Sequence, residues 1–155
     1  MNRSFALKDM FPIIKEQLDS GGSATFAIHG TSMLPMLKDR KDSVRIIKPK
    51  EQPKKYDIIF YRRKDGSFIL HRIVKVKKGG YICRGDNQIL NEFPVTEDMV
   101  IGVVEAYTRN NEWISVNSKR QYFYSRFKVN TILFLRTKRY LEAIINKLFG
   151  KGAIK

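Results

Sequence analysis

The chain has 155 residues, of which 43% are apolar and 12% aromatic, and it carries 30 Lys and Arg against 15 Asp and Glu. This length and apolar content predict one globular unit with a core of its own, and they exclude wholesale disorder. A single cysteine, Cys83, and two histidines exclude a disulfide framework and a cysteine-based zinc site. We therefore expect metal-free chemistry or no chemistry at all, and no cofactor.

The charge and the apolar runs also limit the cellular setting. The longest uncharged run, 20–37, contains two adjacent glycines, a proline and several hydroxyl residues, so it does not predict a membrane-spanning helix. The first eight residues lack the apolar core of a signal peptide. We expect a cytoplasmic protein. Its net charge of +15 indicates an anionic partner, either nucleic acid or acidic lipid headgroups.

The first predicted element is an amphipathic helix over 5–18, within an N-terminal segment of residues 1–22. Its apolar residues recur at spacings of three and four, and Gly21-Gly22 ends the pattern. Seven short strands follow, rich in β-branched and aromatic residues and separated by turn formers. They are predicted at 24–28, 43–47, 56–61, 68–76, 80–83, 101–107 and 112–116. Their hairpin spacing predicts a mainly β domain over 23–116, folded as a curled antiparallel sheet or barrel.

The C-terminal segment, 117–155, is basic and has a helical pattern. Residues 115–155 contain ten Lys and Arg and one acid, Glu142. Six apolar residues share one side of the helical wheel: Leu133, Phe134, Leu141, Ile144, Ile145 and Leu148. Four basic residues lie beside this stripe or elsewhere on the wheel: Arg136, Lys138, Arg139 and Lys147.

Two interpretations of this helix are open. A basic amphipathic helix fits docking on an anionic membrane surface, with these four basic residues as the lipid or anion contacts. The other interpretation is a helix whose apolar stripe packs on the sheet and whose basic back is solvated. A membrane-spanning helix is disfavoured here, because charged side chains at the bilayer centre are energetically costly.

Three short segments hold residues that could carry chemistry. The segment 30–35 follows the first predicted strand, and a serine there, Ser32, can present its hydroxyl to a carbonyl, although such serines are more often turn residues. His71 interrupts the fourth predicted strand and needs a polar partner; alone, it would be read as a core histidine bonded to backbone. The segment 84–87 contains Asp86 and otherwise has the composition of a turn.

Taken in chain order, these segments resemble the boxes of the signal peptidase I-like serine peptidases, a superfamily related to self-cleaving repressors. The similarity is to the branch of the endoplasmic-reticulum signal peptidase subunit and its sporulation-type bacterial relatives, which have His-Arg where bacterial leader peptidases have Lys-Arg. It covers residues 24–107, and the combination is more specific than any one box. The matching segments are Ser32-Met33-x-Pro35, 56–61, His71-Arg72-Ile73-Val74, Gly85-Asp86-Asn87 and 101–104.

The resemblance implies a serine endopeptidase that cleaves a peptide or protein precursor. Ser32 is then the nucleophile, and His71 is the base that takes its proton and later delivers it to the leaving amine. The orienting acid is either Asp86 or Glu92. Asp86 lies in the matched box, whereas Glu92 lies nearer to the position of the acid in the His-type branch.

The resemblance also implies an oxyanion hole and a substrate groove beside Ser32. The backbone N–H of Ser32 is the first oxyanion donor. Much of the family adds a hydroxyl two residues earlier, but this chain has Gly30 there, and its nearest hydroxyl is Thr31. Losing such a donor typically costs ~10²–10³ in rate. Met33 and Pro35 complete the box, with Met33 beneath the groove or in a simple core contact.

Family members are generally anchored by an N-terminal spanning helix, whereas this chain offers only the amphipathic 5–18. Either a membrane-anchored partner holds the protein, or it works peripherally on the inner membrane face with its basic helix touching lipid. An alternative function is a catalytically weak or inactive peptidase-fold module that binds an anionic membrane or nucleic acid through the basic segment. Nucleic acid is the less favoured partner because the sequence shows no recognition helix or stacking motif.

Overall fold

The computed structural model describes residues 7–149, except for the side chains of residues 132–136, 138–140, 142–143 and 145–149. The first helix, α1, spans Leu7–Asp19 and buries Ile14 and Leu18, as the amphipathic pattern predicts. Residues 5 and 6 of the predicted helix lie outside the described residues. The helix is followed by Gly21, whose φ of 81° favours glycine because other residues are strained there.

Within residues 7–149, eight strands follow α1. They are β1 (Ser23–Ala27), β2 (Ser43–Ile47), β3 (Ile58–Arg62), β4 (Phe68–Lys77), β5 (Gly80–Arg84), β6 (Glu92–Val95), β7 (Val100–Arg109) and β8 (Glu112–Ser115). The seven predicted strands are confirmed, and β6 was not predicted because it has four residues and contains Pro94. The third strand, β3, begins two residues after its predicted start, because Tyr56 has a φ of 87° and breaks the extended backbone.

All strand pairs are antiparallel, in the order β1-β2-β7-β3-β4-β5-β6, with β8 paired to β7. The sheet is open, with β1 and β6 at the two ends of that order, so the predicted barrel is wrong and the predicted sheet is right. Register shifts interrupt four of the pairings, at Arg45/Ile46, Phe60/Tyr61, Ile73/Lys75 and Tyr81/Cys83. Such bulges bend and twist strands locally, and here they do so without bringing the two ends together.

The sheet packs a hydrophobic cluster on each face. One cluster joins Ile14 and Leu18 of α1 to residues such as Phe60, and the other contains Tyr61 and Cys83. Successive residues of β3 alternate between the clusters, which explains its unbroken apolar run. Burial raises the pKa of the Cys83 thiol to about 12, so this thiol is protonated and unreactive at neutral pH.

The second helix, α2, spans Lys119–Phe149. Its first turns bury Gln121 and Ser125, whereas Leu141 and Ile144 are exposed. The apolar stripe therefore does not pack on the sheet at these two positions, which contradicts the packed interpretation there. The side chains of Arg136, Lys138, Arg139 and Lys147 lie outside the described part of the chain. Across residues 7–149, neither helix combines the length and apolarity needed to cross a membrane.

Candidate active site

A cavity of about 510 Å³ contains the two principal candidates, because both Ser32 and His71 line it. Its walls come from α1, from β1 with the loop after it, and from β3 and β4. The other lining residues are mostly apolar: Leu7, Phe26, Ala27, Ile28, His29, Gly30, Met33, Phe60, Phe68, Ile69 and Leu70. An apolar, concave site with a few convergent polar groups is the usual setting of a binding or catalytic centre.

Ser32 lies in a compact turn directly after β1. The turn opens at Gly30, whose φ is 96° and whose N–H donates to Asp39 Oδ1 at 2.7 Å. It continues through Leu34 N–H, which donates to the Thr31 carbonyl at 3.2 Å. Within residues 7–149, neither the N–H nor the hydroxyl of Ser32 hydrogen-bonds to another protein group. Ser32 is half-buried and lines the cavity.

The segment 84–87 contacts the backbone of this turn. The Asn87 N–H donates to the Ser32 carbonyl at 2.8 Å, and Asn87 Nδ2 donates to the Thr31 carbonyl at 3.2 Å. A Cβ on Gly85 would lie 2.5 Å from the Ser32 carbonyl oxygen. Only glycine permits this approach, so Gly85 and Asn87 together hold the backbone of the turn at Ser32 in place.

His71 lies in β4, opposite Ile59 of β3, and is 4% exposed. Its Nδ1 is 3.3 Å from the hydroxyl oxygen of Tyr61, which lies diagonally across the strand pair. That hydroxyl donates its one proton to Glu92 Oε2 at 2.7 Å. The Tyr61 oxygen is therefore left to accept, which fits the Nδ1–H tautomer of His71 and leaves the Nε2 lone pair unprotonated.

Glu92 is the carboxylate beside His71. Its Oε2 lies 4.0 Å from His71 Nδ1, and Arg63 binds both carboxylate oxygens, each at 2.6 Å. The hydrogen bonds from Arg63, with the one from Tyr61, hold the pKa of Glu92 below its usual value. Glu92 is therefore ionised at neutral pH and faces the imidazole both directly and through Tyr61.

Asp86, the other predicted acid, is engaged elsewhere. Its two oxygens accept from Arg72 Nε at 2.8 Å and Arg72 Nη2 at 2.7 Å, and the two side chains are 3% and 2% exposed. Arg72 also donates to the Tyr56 carbonyl and to Met36 Sδ. The buried pair joins β4 to the turn that contacts Ser32. Of the two acids that the sequence left open, the geometry brings Glu92 to His71 and commits Asp86 to Arg72.

The pKa of His71 is lowered from 6.5 to about 4. Burial is the main cause, because it disfavours the charged ring; Glu92 opposes this shift, and Arg63 adds to it. His71 is therefore neutral throughout the physiological pH range, which is the form that can accept a proton.

The remaining candidates have mixed placements. Met33 is 2% exposed and lines the cavity, so it combines a core contact with a place in the groove wall. Thr31 and Pro35 are exposed and, among the described residues, are not part of the cavity lining. Their carbonyls instead accept hydrogen bonds, that of Pro35 from Arg109 Nη2 at 2.8 Å. These contacts hold the turn rather than extend the cavity.

Sequence reasoning missed two residues of the site, Tyr61 and Arg63. Tyr61 could have been found from strand register, because it lies two residues beyond Ile59, the partner of His71. Nothing in the sequence pairs Arg63 with Glu92, since the contact joins the end of β3 to β6, a strand that was not predicted.

Comparison with known proteins gives no assignment, because neither a protein-family model nor a curated protein matches the chain.

Proposed function

We propose that the protein is a serine endopeptidase of signal-peptidase type that cleaves a peptide or protein precursor. One observation carries the proposal: Ser32 and a neutral His71 line the same cavity, and His71 Nδ1 faces the Tyr61 hydroxyl and Glu92. The open antiparallel sheet accommodates such a site. The proposed setting is the cytoplasm.

In the proposed reaction, Ser32 Oγ attacks the scissile carbonyl carbon while its proton moves to Nε2 of His71. The Ser32 N–H stabilises the oxyanion that forms. His71 then transfers the proton to the leaving amine as the C–N bond breaks, which leaves an acyl-enzyme on Ser32. A water molecule deprotonated by the same imidazole hydrolyses this ester and regenerates the hydroxyl.

The neighbours of His71 compensate for its weak basicity. A buried imidazole with a pKa of about 4 is ready to accept a proton, but its charged form is poorly stabilised. As the imidazolium forms, Glu92 stabilises its charge and the Tyr61 oxygen accepts the Nδ1–H bond. The ion pair with Arg63 fixes the Glu92 carboxylate and weakens its effect on the ring.

The proposal is tested by incubating the purified protein with a complex peptide mixture and identifying new N-termini by mass spectrometry. We expect new termini with the wild-type protein and none with Ser32→Ala or His71→Ala. Identical termini from all three proteins would contradict the proposal. A folded wild-type protein that generates none would favour the alternative, a peptidase-fold binding module.

The pH dependence of cleavage should identify His71 as the base. Activity requires the neutral ring, so kcat/KM should fall with acid only near the pKa of about 4, well below an ordinary histidine. Arg63→Met should raise the pH at which activity falls by on the order of one pH unit, because the negative charge of Glu92 then acts on the ring unopposed. Glu92→Gln should lower the pH at which activity falls, because the carboxylate that raises the pKa of His71 is lost.

Arg45→Met is the matched control. It removes the same charge from β2, which is separated from β3 by one strand, β7, and it should leave the pH dependence unchanged. NMR can follow the ring directly because the protein has two histidines. An acid limb near 6.5, unmoved by Arg63→Met and Glu92→Gln, would exclude His71 as the base in this environment.

A further inference from the structure

The outer face of α2 exposes four large apolar side chains. Phe123 is 69% exposed, Phe127 64%, Leu141 52% and Ile144 37%. Their spacings of four, fourteen and three residues place them on one side of a helix that turns every 3.6 residues. We call these four residues the docking face.

The opposite face of α2 is already used by the fold. Gln121 and Ser125 are buried there, and Gln121 Oε1 accepts a hydrogen bond from the Tyr107 hydroxyl at 3.3 Å. Residues two apart on a helix lie about 200° apart, so Phe123, between these two residues, projects away from the sheet. The docking face therefore takes no part in the packing of α2 on the sheet.

The charge on the helix indicates what covers this face. From residue 119 to residue 149 the helix carries eight Lys and Arg and one acid. Lys119 and Arg120 are exposed in its first turn, and the Arg126 guanidinium lies 3.3 Å from the centre of the Tyr122 ring. Phenylalanine beside lysine and arginine suits the boundary between acyl chains and anionic headgroups. A second copy of the chain would instead bring two strongly positive helices together.

We propose that α2 lies along an anionic lipid bilayer, with the docking face inserted at the level of the acyl boundary. Salt-sensitive attraction by the basic residues brings the helix to the surface, and burial of the apolar side chains retains it.

This orientation places the candidate active site close to the lipid. From the side opposite the docking face, Gln121 Nε2 contacts Met36 Sδ at 3.3 Å, and Lys128 Nζ donates to the Asp86 carbonyl at 3.2 Å. The segments that contain Ser32 and Asp86 would therefore lie about one helix diameter, ~10 Å, from the bilayer. Docking does not depend on catalysis, so it can hold even where the proposed peptidase activity fails.

The test is sedimentation with vesicles of phosphatidylcholine alone and vesicles in which roughly a third of the lipid is phosphatidylglycerol. We expect the wild-type protein to bind the anionic vesicles, to release at high salt and to ignore the neutral ones. The double variant Phe123→Ser/Phe127→Ser should bind roughly tenfold more weakly or worse, because both side chains lose their burial in lipid. Both residues are exposed, so circular dichroism should show an intact fold.

Ile13→Ser is the control, since it exchanges a similarly exposed apolar side chain on α1 and should bind like the wild type. Ser32→Ala should also bind normally, which separates docking from catalysis. Failure of the wild-type protein to bind anionic vesicles would overturn the proposal, as would equal binding by the double variant. A dimer in sedimentation velocity that the double variant abolishes would overturn it too, and would assign the face to a second copy.

Discussion

Ser32→Ala is expected to lower kcat/KM for peptide cleavage by ~10⁴-fold or more, because the proposed acyl-enzyme forms on the Ser32 hydroxyl. The variant keeps the cavity, the Ser32 N–H and the buttressing contacts from Asn87, so binding should change far less than turnover. The measurement is the cleavage rate of a peptide identified in the mixture, followed by mass spectrometry. His71→Ala should cause a loss of similar size, since the base and the nucleophile act in one step.

Two controls sharpen this expectation. Ser20→Ala makes the same chemical change at an exposed site after α1, where the hydroxyl bonds the Gln17 carbonyl, and should cleave like the wild type. His29→Ala tests the other ring on the cavity wall. Full activity in Ser32→Ala would refute the nucleophile, and loss in His29→Ala with activity kept in His71→Ala would move the base to His29.

Arg72→Met is expected to reduce the free energy of unfolding by about 3–5 kcal/mol, measured by urea titration. The variant leaves the buried Asp86 carboxylate without the guanidinium that binds both of its oxygens. A buried charge without a partner is among the most destabilising changes that a single substitution can make. Because Asp86 belongs to the turn that contacts Ser32, activity should fall as well, even where the protein remains folded.

The control for this prediction is the exposed pair of Lys15 and Asp19, whose side chains are 63% and 43% accessible. Lys15→Met should leave the free energy of unfolding nearly unchanged, because solvent screens such a pair. The double variant Arg72→Met/Asp86→Leu should be more stable than Arg72→Met alone, because it removes the uncompensated charge. Equal small losses for Arg72→Met and Lys15→Met would show that the buried pair contributes no more than a surface one.

The fold was largely predictable because its signals are local. Gly21-Gly22, the turn at 64–66 and Asn110-Asn111 separate the elements, and Asn110 and Asn111 both have positive φ. The predictions that failed, closure of the sheet and the missing strand β6, depend on long-range contacts. Closure of the sheet is decided by where its edge strands lie, and β6 has too few residues and a proline, so its pairing with β5 leaves no local pattern.

Part of the geometry around the candidate residues could be predicted from the sequence. The segments around Ser32, His71 and Asp86 could be recognised because each has a distinctive local sequence, and the structure brings Ser32 and His71 to one cavity. The sequence could not decide between Asp86 and Glu92, because that depends on which arginine each carboxylate meets. Arg72 is adjacent to His71 in the chain, yet it binds Asp86 on the other side of the strand, as the alternation of β4 requires.

Ser32 and His71 are proposed to act as one catalytic unit, and a double-variant cycle measures whether they do. The measurement compares kcat/KM for Ser32→Ala, His71→Ala and the combined variant on one peptide substrate. We predict that the combined variant is no slower than Ser32→Ala alone, because a base without its nucleophile contributes nothing further. A combined variant whose loss equals the product of the two single losses would show that the two residues act independently, which contradicts a shared catalytic step.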